Sequence, residues 1–267
     1  MKLLTFILIN GPLAVSFFTL CILLILTFYG YKKWQAGYET FLSLGRGGTP
    51  YNALGYTIVS IKAMFGIDPL SYPPIPTDLD QQIGYLDETQ LHHRPGSRPV
   101  IKGVAPQRQV DQAAPYDIVQ NDVCDLINQN EHICLRTSFL ERHGPAFFPT
   151  DMNSSRPSER IFGAEIGHVH EYDGSVHVNL HPADVAKVIQ YGWAERHGLA
   201  RGDSLWFMYF RDFWRFFGYA DARPPVSVGW VLVYAPRTHQ ERMIVLRIIG
   251  AGAQWITNTP VLHPDDM

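Results

Sequence analysis

Cysteine and charge are both scarce in this chain. Three cysteines in 267 residues exclude a disulfide-rich scaffold, and nothing takes the form of a CxxC pair or a zinc ribbon. Cys21 falls in an apolar run, so Cys124 and Cys134 are the only plausible pair outside it. Charged residues make up 18%, and 22 Lys and Arg against 25 Asp and Glu give a net charge of −3, so no nucleic-acid partner is expected. Repeats, low-complexity tracts and recognised nucleophile motifs are absent too. Apolar residues are plentiful: 46% is too many for a disordered chain and too few for a multi-pass membrane protein. A chain of 30.3 kDa has room for one or two domains with a real core. Nineteen prolines and 22 glycines point to a loop-rich fold rather than a helical bundle.

Charge is missing altogether between Leu3 and Tyr29. Asn10-Gly11-Pro12 interrupts the run, and Leu13 to Tyr31 approaches the ~20 residues that a membrane-spanning helix needs. The run is longer than the apolar part of a signal peptide, and no clear A-x-A cleavage site follows, so an uncleaved single-pass anchor is expected. Lys32 and Lys33 directly after the run favour a cytosolic body, with the endoplasmic reticulum as the expected membrane. The sequon Asn153-Ser154-Ser155 would matter only for a lumenal body. A second apolar stretch, Ala53 to Phe65, is too short to span and contains Lys62; it suits an interfacial helix or one buried on the body. Leu205 to Tyr219 interleaves nine aromatics with Arg211 and Arg215, a density that suits membrane lipid, with a lid or plain core as rivals.

These signals divide the chain into an anchor and interfacial segment (1–66), a Pro-rich linker (67–115), a folded domain (116–262) and a tail (263–267). Ser71-Tyr72-Pro73-Pro74-Ile75-Pro76 cannot be helical, because each proline fixes its own φ and disfavours α at the residue before it. From Tyr116 the pattern is that of an α+β domain with a mainly antiparallel sheet and flanking helices. Val119, Val123, Leu126 and Ile127 have helical spacing. Glu131 to Leu140 is β-rich, and Val228 to Tyr234 reads as a buried strand. Pro182 suits a helix N1 position, with Gly198 as that helix's stop after Trp193-Ala194-Glu195-Arg196-His197. Thr238-His239-Gln240-Glu241 is a capping box.

Four of the 11 histidines fall between His168 and His181, in a segment that reads as two strands about Asp173-Gly174. A two-residue turn there sets His170 opposite His177 and His168 opposite Asn179, with Cβ atoms about 4.5–5.5 Å apart. Alternation puts Val169, Val176, Val178 and Leu180 on the core face and the imidazoles on the other. Three readings fit: a solvated polar face, a metal site in which His168, His170 and His177 supply ligands, and a metal-free acid/base pocket.

The segments Glu165-Ile166-Gly167-His168-Val169-His170, Ser175-Val176-His177-Val178, Gly192-Trp193-Ala194-Glu195-Arg196-His197 and Val233-Tyr234-Ala235-Pro236-Arg237 together resemble the fungal luciferase domain. Tyr38-Glu39-Thr40-Phe41-Leu42, the anchor and the overall length are similar as well. The resemblance implies a membrane-bound oxygenase that adds O2 to 3-hydroxyhispidin, an enolic α-pyrone with a catechol arm, to give a peroxide that loses CO2 and leaves an excited product. It implies no organic cofactor beyond O2, and leaves a metal on the histidines open. Such chemistry needs a base for the enolic proton, for which His168, His170 and His177 are the candidates. Arg196, His197 and Arg237 would stabilise enolate or peroxide charge, Tyr234 would hydrogen-bond the substrate, and Trp193 would pack beside it. Light emission is left open. The alternatives are a non-luminous secondary-metabolism enzyme and a membrane-tethered binding module for a hydrophobic metabolite; no protein partner is indicated.

Overall fold

The computed structural model describes residues 2–43 (side chains from 15), 49–75, 77, 83–99, 114–141, 143–153, 155–156, 160, 163–201, 209, 212–213, 216 and 226–263. The chain divides into two compact units, Met1–Ser43 and Leu44–Met267.

The first unit is one helix, α1 (Lys2–Ser43), which continues through Asn10-Gly11-Pro12. Its stretch Val15–Ser43 is 29 residues long, is long and apolar enough to cross a membrane, and leaves its most apolar part unburied. At 1.5 Å per residue it measures about 43 Å, against a hydrocarbon core of about 30 Å.

The second unit is an α+β domain. It begins with α2 (Ala53–Ala63), capped by the Asn52 side chain on the Gly55 amide. Then follow α3 (Tyr116–Asn128), β1 (Ile133–Thr137), β2 (Pro145–Pro149), β3 (Gly167–Val169), β4 (Val176–Asn179), α4 (Pro182–Gln190), β5 (Ala194–Arg196), β6 (Trp230–Val233) and α5 (His239–Thr257). The six strands form one sheet in the order β1-β2-β3-β4-β6-β5, and every pairing is antiparallel.

One face of the sheet is the core. Val169, Val176, Val178, Val231 and Val233 lie there in register, buried with Val119, Val123 and Leu126 of α3, Val185 and Val188 of α4, and Ile248, Ile249 and Ile256 of α5. The helix starts follow their caps: His181 precedes Pro182 at N1 of α4, and the Thr238 side chain accepts from the Glu241 amide at the head of α5.

Two elements depart from the sequence reading. Trp193 to His197 does not close a helix: α4 stops at Gln190, where Gly192 takes φ 77°, and Ala194–Arg196 is strand β5 on the edge of the sheet. The left-handed turn at Gly192 breaks the helix six residues before Gly198, and pairing with β6 then outweighs helical spacing. Strand β2 carries no alternation signal because Ala146, Phe147 and Phe148 are all buried, so both of its faces are apolar.

Residues 83–99, within the stretch expected as linker, lie on the domain. Leu86 and Leu91 join its core, the Tyr85 and Leu86 amides donate to the Asp184 carboxylate (2.7 and 3.1 Å), and Trp193 Nε1 donates to the His92 carbonyl (2.7 Å). Helix α2 buries Gly55 and Val59 but exposes Leu54 and Ile61, followed by Met64 and Phe65. Of the aromatic segment Leu205 to Tyr219, Tyr209, Phe213 and Phe216 are described and exposed; the other aromatics lie outside the described residues. All three cysteines are free.

Strand β3 can approach its neighbours closely because Gly167 has no side chain. A Cβ there would come within 2.2 Å of the His177 carbonyl oxygen and 2.7 Å of the Phe147 ring. Gly167→Ala is expected to cost about 1–3 kcal/mol by overpacking and to lower the thermal midpoint by several degrees, measured by scanning calorimetry.

Candidate functional site

The site lies on the other face of the sheet. The β3–β4 hairpin closes through four residues, Glu171 to Gly174, rather than two. Asp173 Oδ1 accepts from both the Ser175 amide (2.9 Å) and Ser175 Oγ (2.6 Å), a local turn that takes up the extra residues. The register therefore differs by two from the sequence reading: His168 faces His177, and His170 faces Ser175. A shift of two keeps every side chain on its face, so the imidazoles still share one side. His168 also faces Ala146 on β2, whose small side chain leaves room for the ring.

The cluster is compact and dry. Ring centroids are 5.3 Å apart for His168 and His170, 5.2 Å for His168 and His177, and 4.8 Å for His170 and His177. His168 is 2% exposed and His170 7%, which removes the reading of a solvated polar face. His197 follows β5 with its ring 5.5 Å from His177, and Trp230 of β6 stacks on His177 at 5.6 Å. His181 is elsewhere, at the start of α4 between Tyr85 and Trp255.

Each imidazole is oriented by a hydrogen bond from its Nδ1. His168 Nδ1 is 2.6 Å from Glu165 Oε1, His170 Nδ1 is 2.8 Å from Ser175 Oγ, and His177 Nδ1 is 2.9 Å from the Val231 carbonyl. His197 is the opposite case: its Nδ1 accepts from the Leu199 amide (3.1 Å), so a neutral ring carries its proton on Nε2. Glu141 Oε1 lies 3.7 Å from Nε2 of both His168 and His170. One ring nitrogen from each of His168, His170 and His177 lies within 4.8 Å of the others, so among the described residues these three form a group able to hold a metal ion.

Burial sets the charge state. It pushes His170 down to about 3, helped by His168 and His197. It pushes His197 to about 4, helped by the Lys62 ammonium and by His168. His177 is lowered well below its ordinary value, again chiefly by burial. These rings are neutral near pH 7.

The other sequence candidates belong to different networks. Arg196 is buried and donates to Ser71 Oγ (3.2 Å) and the Ala200 carbonyl (2.8 Å). Arg237 is paired with Glu241 and donates to the Pro95 carbonyl. Tyr234 is buried and donates to Glu195 (2.9 Å), a carboxylate shared with Arg98; burial and that carboxylate hold the phenol protonated. Trp193 is fully buried and bonded to His92. Thus His168, His170, His177 and His197 come together, while Arg196, Trp193, Tyr234 and Arg237 anchor the surrounding chain. Glu165, Glu141, Trp230 and Lys62 were not singled out in the sequence. Glu165, three residues before His168, was the one with a local signal. A groove of about 580 Å³ between Gly84–Glu88 and α4 shares no residue with the cluster.

A sheet with a dry valine face and a buried imidazole face, inside an α+β domain, defines a protein built around one histidine-rich site. Residues 163–252 match the luciferase-domain family model, a span that holds all eight sequence candidates. The chain is 29% identical over 266 residues to the luciferase of Armillaria mellea, covering 94% of this chain and 91% of that one. It is 29% identical over 238 residues to the luciferase of Neonothopanus nambi (84% and 81%), and 28% over 255 residues to that of Armillaria gallica (90% and 88%). The chain thus resembles the luciferase domain over residues 163–252 and the fungal luciferases over most of its length. No solved structure matches it.

Folded-state values near 3 for His170 and 4 for His197 lie below the ordinary 6.5, so the unfolded chain binds more protons in between. The stability these neutral rings allow is fully present above about pH 6.5 and is lost as pH falls toward 3–4. The thermal midpoint is expected to drop between pH 7.5 and pH 5, and His197→Gln to flatten that drop, read by scanning calorimetry.

Proposed function

We propose that the protein is a luciferase-like oxygenase acting on an enolic α-pyrone of the 3-hydroxyhispidin type. The observation that carries this reading is the buried cluster of oriented imidazoles inside the segment matched as a luciferase domain. In this reading His168 is the base. Its Nδ1 is tied to Glu165, so Nε2 takes the enolic proton and the carboxylate compensates the imidazolium that results. O2 then bonds to the enolate carbon, the substrate supplying the electrons, and the peroxide formed loses CO2. His197 offers an Nε2–H to the developing oxyanion, as a neutral imidazole donor. His170 and His177 hold the substrate against Trp230. The bonds made by Arg196 and Arg237 favour a supporting role for both, with Tyr234 and Trp193 as walls of the same frame.

In the same proposal α1 is a single-pass anchor in the endoplasmic reticulum membrane and the body is cytosolic. Support comes from the length of the apolar stretch Val15–Ser43 and from Lys32 and Lys33 after its most apolar part. Exposed Leu54, Ile61, Met64 and Phe65 beside the domain favour contact with lipid, from which an apolar substrate can be drawn. The segment divisions 1–66, 67–115 and 116–262 belong to this reading.

The test is oxygen consumption with simultaneous photon counting, using detergent-solubilised full-length protein and 3-hydroxyhispidin. Oxygen uptake is expected, falling roughly 10²–10⁴-fold in His168→Gln. Uptake without light would mean a non-luminous enzyme of the same kind. No uptake from folded protein would overturn the oxygenase reading in favour of a binding module.

A further inference from the structure

The hydrogen bonds around the three imidazoles assign their protons. The Val231 carbonyl can only accept, so His177 Nδ1 must carry hydrogen. Glu165 already accepts from Ser138 Oγ and from the Phe139 and Leu140 amides, as an ionised carboxylate does, so His168 Nδ1 donates to it as well. Ser175 Oγ gives its one proton to Asp173, so it accepts from His170 Nδ1. With all three Nδ1 atoms protonated, the lone pair that each ring can offer is on Nε2.

The three rings share one space, with one nitrogen of each within 4.8 Å of the others. Nε2 of His168 and of His170 both look onto Glu141 Oε1 at 3.7 Å, too far for a hydrogen bond. His168 Nε2 is buried without a hydrogen-bond partner. Three acceptors and a carboxylate gathered in a dry place repel one another, and an unsatisfied buried acceptor costs about 1–3 kcal/mol. A cation resolves all four at once. The outer arrangement is also that of a ligand set: metal-binding histidines donate their second nitrogen to a carboxylate, carbonyl or hydroxyl, which fixes ring and tautomer.

We propose that His168, His170 and His177 bind a divalent first-row transition-metal ion through Nε2, with Glu141 or a solvent oxygen completing the shell. Imidazole ligands with one carboxylate and no thiolate suit ions from iron to zinc; calcium and magnesium prefer all-oxygen sites. The ring nitrogens now span up to 4.8 Å. A tetrahedral ion with bonds of about 2.1 Å sets its ligands roughly 3.4 Å apart, so binding draws the rings inward by about 1 Å. Small rotations about χ1 and χ2 achieve this, and each Nδ1 bond acts as the pivot. An ion on His168 Nε2 takes the lone pair that serves as base in the oxygenase reading, so the two roles of this atom exclude one another and the site stands on its geometry alone.

The experiment uses full-length protein in detergent, purified without a polyhistidine tag, stripped with chelator and titrated with Co(II). Stoichiometric uptake with the visible ligand-field bands of a nitrogen-rich site is expected, displaced by Zn(II). His177→Gln should abolish it. Glu165→Gln, which leaves every ligand in place, should weaken it roughly 10–100-fold. His177→Gln is the deciding variant, because its Nδ1 bond to one carbonyl contributes least to the fold; its thermal midpoint before metal addition serves as the control. Wild-type protein that takes up no more cobalt than folded His177→Gln would overturn the proposal. The titration contains no pyrone. Metal uptake without oxygen consumption would therefore sink the oxygenase and leave the site standing, whereas full oxygen consumption by protein unable to bind metal would do the reverse.

Discussion

The carboxylate of Glu165 holds this domain's site together. It is almost fully buried, and it accepts hydrogen bonds from Ser138 Oγ, the Phe139 and Leu140 amides and His168 Nδ1. Bonds to a charged group are worth about 1.5–3 kcal/mol each, and a buried carboxylate stripped of them would be strongly unfavourable. The chain therefore has to bring the loop after β1 against the start of β3. That closure fixes His168 from one side and sets Glu141, on the same loop, against His168 and His170 from the other. Ala164 accommodates it with a φ of 51°, a conformation rare outside glycine.

The rest of the cluster is positioned by equally ordinary backbone chemistry. His170 is aimed by Ser175 and Asp173 within the hairpin turn, His177 by the Val231 carbonyl on the next strand, and His197 by the Leu199 amide beyond the sheet edge. Each orienting group belongs to a different element, so the rings hold their places only when the sheet is assembled. The valines on the opposite face supply the reason for assembly: Val176, Val178, Val231 and Val233 are buried completely against the helices. Hydrophobic burial on one side of a two-faced sheet thus provides the rigidity that a buried polar cluster on the other side requires.

Much of this was legible from local pattern. Thr238 and Pro182 marked helix starts, since capping and proline preference act within a few residues. Alternation about Asp173 separated valine from histidine correctly even though the hairpin loop proved two residues longer, because face is a matter of parity and survives a slip of two. Strand β5 was not legible: three residues at a sheet edge hold their shape by pairing with β6, and their sequence alone continues a helical spacing. Strand β2 escaped for a related reason, as burial on both faces erases alternation.

The histidine face, its opposite apolar face and the long apolar helix at the start were therefore determined by the sequence itself. Each follows from a period of two or 3.6, or from an apolar length, and such periods are properties of the chain alone. Which histidine meets which, what orients each ring, and that Glu165 and Glu141 complete the site were decided by tertiary structure. Those contacts join residues on separate strands and loops through bonds of a few ångströms. No local spacing encodes a distance across a fold, so the free energy of the assembled sheet had to select them.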